Sequence, residues 1–92
     1  MRIFYSPQES RKRITYDIQG EVITATIGDE SDTFDFSTFP EGRAVDFETS
    51  LSVIPIISAE RDAQGGLWVK VLKFIGENAA QEERYPDWIE VS

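Results

Sequence analysis

Apolar and polar residues alternate along most of this chain, with the two-residue period of half-buried strands. Ile14, Tyr16 and Ile18 alternate with Thr15, Asp17 and Gln19, and a β-branched run, Val22 to Ile27, follows Gln19-Gly20. Glycine supplies the positive φ of a tight turn there, so residues 13–27 predict a hairpin. Ahead of it, Ile3 and Tyr5 open a short strand that Pro7 is expected to end, because proline cannot donate to a ladder. Behind it, Gly28-Asp29-Glu30-Ser31 reads as a turn. Thr33-Phe34-Asp35-Phe36 reads as a short strand with both phenylalanines on one face.

Phe39-Pro40-Glu41-Gly42 is a loop signal, and residues 37–48 carry no clear period and read as loop. Leu51 to Ile57 reads as a strand interrupted by Pro55, which places it at an edge or a bulge. A second hairpin is predicted about Asp62-Ala63-Gln64-Gly65-Gly66, with Ile56 to Arg61 before it. After it, Leu67, Val69, Val71 and Lys73 alternate with Trp68, Lys70, Leu72 and Phe74. Large apolar groups on both faces are the mark of a central strand, and Trp68 reads as a core residue. Asn78 is placed to cap a short helix near 79–84, with Gln81 in the reciprocal position and Pro86 as its stop. Residues 85–92 read as an extended C-terminal segment. The expected product is a single all-β domain over residues 1–92, mainly antiparallel, with six to seven short strands in a small sandwich or barrel-like sheet.

Composition narrows the chemistry. The 92 residues suffice for one domain, with one small core and little interior left for a deep pocket. The sequence has no cysteine and no histidine. That removes a disulfide framework, a thiolate nucleophile and an imidazole base or ligand, and with them serine–histidine and cysteine–histidine mechanisms. The N-terminus lacks the apolar run of a signal peptide, and Val53 to Ile57 is far too short to span a bilayer. A soluble cytoplasmic protein with no membrane partner is expected. The net charge of −8 is unevenly placed: residues 17–48 carry nine acids against Arg43 alone, whereas residues 1–13 carry Arg2, Arg11, Lys12 and Arg13 against Glu9. An acidic middle repels phosphate, so no nucleic-acid partner is expected.

Several constellations have a chemical and a plain reading. Asp29, Asp32 and Asp35 could hold a hard cation and serve a small metal-dependent hydrolase, but the acids do not alternate as a calcium loop requires and no glycine makes the sharp turn. The plain reading is a solvated turn with an acidic edge, which also discourages edge-to-edge pairing. Paired carboxylates could hydrolyse a glycoside only in a cleft that raises one pKa. No glycine pattern of a phosphate cradle occurs. Arg11-Lys12-Arg13 near Tyr5 and Tyr16 has the ingredients of a single-strand binder, against the charge of the rest. Strong acidity also fits an inhibitor that imitates DNA and blocks a DNA-binding protein. The apolar end residues Trp88, Ile89 and Val91 must dock somewhere: back on their own sheet, or on the sheet edge of a partner. No catalytic residue, cofactor or small-molecule substrate is expected, and no enzyme activity.

Three stretches taken together carry a family likeness. They are Ile23-Thr24-Ala25-Thr26-Ile27 with Ser31-Asp32-Thr33-Phe34-Asp35-Phe36-Ser37, then Pro55-Ile56-Ile57-Ser58-Ala59, then Phe74-Ile75-Gly76-Glu77 with Tyr85-Pro86-Asp87-Trp88-Ile89-Glu90-Val91. The chain resembles small uncharacterised proteins of Bacillus-type phages and prophages. The resemblance implies a bacterial host cytoplasm or a virion, and a part in virion structure or assembly, the tail being one place for it. The resemblance brings no catalytic or binding residue with it; the expected partners are other phage or virion proteins, or a second copy of the chain, with Trp88, Ile89 and Val91 of the apolar chain end as the contact residues.

Overall fold

The computed structural model describes residues 1–10, 12–75 and 87–91. Among these residues the fold is all-β, with eight short strands: β1 (Arg2–Glu9), β2 (Ile14–Gln19), β3 (Val22–Ile27), β4 (Glu30–Asp35), β5 (Gly42–Ala44), β6 (Ile56–Arg61), β7 (Leu67–Ile75) and β8 (Ile89–Glu90). They form a five-stranded sheet in the order β5-β6-β7-β1-β8 and a three-stranded sheet in the order β2-β3-β4. One core cluster joins the inner faces of both sheets. Ile3, Ile56, Ala59, Leu67, Val69 and Val71 come from the larger sheet, and Ile14, Ile23, Ala25, Ile27 and Phe34 from the smaller. The molecule is therefore a two-layer sandwich.

The alternation is realised strand by strand. In β3, Ile23, Ala25 and Ile27 are buried and Val22, Thr24 and Thr26 turn outward. The two hairpins of the smaller sheet close through Gly20-Glu21 and Gly28-Asp29, and each glycine has a positive φ, 61° and 59°. Among the described residues no other residue type takes a positive φ, so each turn has the type II′ form, whose twist matches the flanking strands. β6 and β7 form the second expected hairpin, and β7 is central, between β6 and β1.

Four features depart from the sequence reading. β1 runs through Pro7 and pairs β7 in parallel, from Arg2 opposite Trp68 to Glu9 opposite Ile75. Met1 and Val91 exchange both backbone bonds, and Ser10 donates to the Ile75 carbonyl. By alternation, Ile3, Tyr5 and Pro7 turn their nitrogens away from β7. β8 reaches only Arg2 and Ile3, so the missing N–H of Pro7 faces a side with no pairing strand among the described residues. Second, the strand expected from Leu51 starts only at Ile56. Pro55 is buried, its carbonyl accepts from Leu72 N at 2.8 Å, and a bulge follows at Ile57. Third, residues 42–44 within the expected loop form β5, and the strand about Phe34 begins at Glu30. Fourth, Trp68 is only half-buried and lies outside the core. The expected helix near 79–84 and its cap Asn78 lie outside the described residues.

Candidate interaction surface

The outward positions of the larger sheet follow from its inner ones. Ala59, Val69 and Ile3 have no exposed surface, and their sequence neighbours turn to the opposite side. Trp68 is one of these neighbours, held by the turn before it. Asp62 Oδ1 accepts the backbone N–H groups of Gln64 at 3.0 Å and Gly66 at 2.8 Å, and Oδ2 accepts Trp68 Nε1 at 3.0 Å. The indole bond first, then the Gly66 amide, holds the Asp62 carboxyl below its ordinary value. A Cβ at Gly66 would stand 2.7 Å from Asp62 Oδ2, so any larger residue there must displace that carboxylate.

Rings and cations then gather on this face. The Trp68 ring lies edge-on to Trp88, with centroids 5.3 Å apart, and Trp88 lies 5.5 Å from Phe4. The Arg2 guanidinium sits 4.3 Å over Trp68, and the Lys70 ammonium 5.2 Å over Phe4. Arg2, Phe4, Trp68, Lys70 and Trp88 thus form one aromatic–cation cluster.

The C-terminal residues expected to make contacts are placed by β8. Ile89 and Glu90 pair antiparallel with Ile3 and Arg2. Val91 packs against the core, whereas Trp88 stays 38% exposed and Ile89 47%. The segment docks on its own sheet and leaves two apolar side chains partly open.

Asp29, Asp32 and Asp35, the candidates for a cation, are not brought together. Asp29 is exposed in the β3–β4 turn. Asp32 faces inward opposite Ala25 and accepts from Thr49 Oγ1 at 2.8 Å, Ser50 N at 3.1 Å and Thr33 N at 2.9 Å. Asp35, three residues on, lies on the other side of β4 and accepts from Ser37 N at 2.9 Å. The Thr49 bond for Asp32 and the Ser37 bond for Asp35 hold both carboxyls below the ordinary range. Among the described residues no three acidic side chains converge as metal ligands do. Of the basic run, Arg11 lies outside the described residues, and Lys12 and Arg13 line a shallow cleft with residues 27–30 and Ser52. Tyr5 and Tyr16 stand 6.1 Å apart at the open end of the sandwich, with Lys73 5.7 Å over Tyr5.

Arg61 was not singled out by its sequence context, yet it locks the two sheets together. Its Nε donates to the Phe39 carbonyl at 2.7 Å, and one terminal nitrogen to Glu21 at 3.0 Å and the Gly65 carbonyl at 2.8 Å. The other donates to Glu21 at 3.1 Å and the Phe36 carbonyl at 2.7 Å. All five guanidinium donors are engaged. Arg61 belongs to β6 and Glu21 to the β2–β3 turn, so the fork joins one sheet to the other. No protein-family model, curated protein or solved structure matches this chain.

Proposed function

We propose that this chain is a non-enzymatic protein-interaction module that works in phage or prophage virion structure or assembly, with Trp88 as its principal anchor. The observation that carries the reading is the aromatic–cation cluster on the outer face of the larger sheet. Its rings are ordered by one another, by Asp62 and by β8, while Trp88 keeps 38% of its surface open to a partner. Tryptophan and arginine dominate interface energies when a partner desolvates them, and rings already in place lose little freedom on binding. Ile89, opposite the buried Ile3, lies on the other side of β8 from Trp88 and leaves a separate open apolar edge, while Val91 fixes β8 against the core. The phage setting rests on the resemblance of the three stretches named above.

The test is particle composition. In induced lysates of a lysogen that encodes the chain, the protein should co-purify with particles or assembly intermediates at a fixed stoichiometry. Trp88→Ala removes a contact on the order of 2 kcal/mol, so its incorporation should fall about 30-fold while its melting profile stays cooperative. Absence of the wild-type chain from both particles and intermediates would refute the assignment.

A further inference from the structure

The register of the larger sheet sets one residue from each strand in a single outward row. Arg43 pairs Glu60, Glu60 pairs Trp68, Trp68 pairs Arg2, and Arg2 pairs Glu90. Read from β5 to β8 the row is cation, anion, ring, cation, anion. Arg43, Glu60, Arg2 and Glu90 are all exposed, and none forms an ion pair among the described residues. The next row adds Lys70, Phe4 and Trp88. On a chain of net charge −8, this face balances Arg43, Arg2 and Lys70 against Glu60, Glu90 and Asp62, which is bonded to the Trp68 indole, so another copy of the acidic chain meets little net repulsion there.

We infer that this face docks on the same face of a second copy, forming a two-fold dimer about an axis that runs along β7. The inference rests on the reading of this face as an interaction surface and adds the identity of its occupant. The row decides the axis. A two-fold along the strands reverses strand order in the partner, so Arg43 meets the partner copy's Glu90, Glu60 meets its Arg2, and Trp68 meets Trp68. A two-fold across the strands would set each charge on itself. Only the first is complementary, and an isologous contact must complement itself. Packed sheets cross at about 30°, which displaces the outermost strands by only about 5 Å, within reach of arginine and glutamate side chains. Lys70 would meet its own copy beside the axis, but its ammonium is drawn aside over the Phe4 ring. With strands of 3, 6, 9, 8 and 2 residues, a rise of ~3.3 Å and a spacing of ~4.8 Å give a face of roughly 450 Å² per copy, below the ~800 Å² of a standard interface. The dimer is accordingly weak and concentration-dependent.

Charge exchange tests it on the full chain by sedimentation velocity up to about 1 mM protein, well above the Kd in the ~10–100 μM range that a small interface supports. The wild type should dimerise. Glu60→Arg alone and Arg2→Glu alone each set two like charges together across the axis, and each should weaken the dimer by ~100-fold or more. Mixed in equal amounts, the two variants should form a heterodimer, and the double exchange in one chain should restore the homodimer. A wild type monomeric throughout, or Glu60→Arg dimerising as well as wild type, overturns the inference. Should either exchange prevent folding, judged by thermal melting, the pair Glu90→Arg and Arg43→Glu makes the same test at the outer positions. A monomeric wild type that still enters particles through Trp88 would leave the proposed function standing with a different occupant on the face.

Discussion

Tyr16 offers a direct test of how the sheets are joined at the open end of the sandwich. It faces inward from β2 opposite Ala25, and its hydroxyl donates to the Leu72 carbonyl of β7 in the other sheet. Leu72 N bonds Pro55, so the carbonyl of Leu72 points to the same side, just beyond the Ile56–Val71 pair where β6 begins. The ladder gives that oxygen no strand partner, and the phenol supplies one. Tyr16→Phe keeps the ring against Tyr5 and removes only the bond. A bond of this kind contributes about 1 kcal/mol net, and a half-buried carbonyl left alone costs up to about 2. For a domain of this size that is a fall of roughly 5–15 °C in Tm. A second readout separates the bond from general packing. Burial, then the neighbouring Tyr5, raises the Tyr16 pKa well above its ordinary 10.0. Above pH 10 the unfolded chain therefore releases a proton that the folded chain retains, and stability falls as pH rises. For Tyr16 the loss is about 1 kcal/mol by pH ~11. Tyr5 is also raised by burial and adds a smaller share. Melting curves across pH 8–11 should thus show a steep alkaline decline in the wild type and a shallower one in Tyr16→Phe. Equal neutral Tm values, or parallel alkaline slopes, would refute this account of the hydroxyl.

Two further outcomes follow from the hubs. Glu21 is held below its ordinary 4.5, first by its bond from Arg61. The stability this confers is present above that value and lost as pH falls through the depressed one, so Tm should hold to about pH 5 and drop below about 4. Glu21→Gln should flatten that limb, and Arg61→Lys, with three donors for five acceptor contacts, should lower Tm more than Glu21→Gln does at neutral pH. An acid limb unchanged by Glu21→Gln would move the cause to other carboxylates. Gly66→Ala forces Asp62 away from its 2.7 Å clash and off the Trp68 indole, so tryptophan emission should shift to the red while the β-sheet circular dichroism persists. Unshifted emission would show that the rings, not Asp62, hold Trp68.

What could be read in the sequence is what is local. The hairpins β2–β3 and β6–β7 were legible because glycine turns and a two-residue period lie within one short window, and the central place of β7 followed from its two apolar faces. The β1–β7 pairing was not, since Arg2 and Trp68 are more than sixty residues apart and nothing in either strand names the other. That one pairing changes several meanings at once. It carries β1 through Pro7, puts Val69 inside and so turns Trp68 outward, and sets Arg2 over the indole. Arg61 was equally hidden, because three of its acceptors are backbone carbonyls, which any residue provides. The acidic segment erred the other way. Asp29, Asp32 and Asp35 are close in sequence, but strand alternation sends Asp32 and Asp35 to opposite sides and employs both on backbone amides. Proximity along a strand is therefore poor evidence for a site, whereas one residue from each of five strands can make one. Arg43, Glu60, Trp68, Arg2 and Glu90 share no sequence window, and their alternation of charge exists only once the register is known.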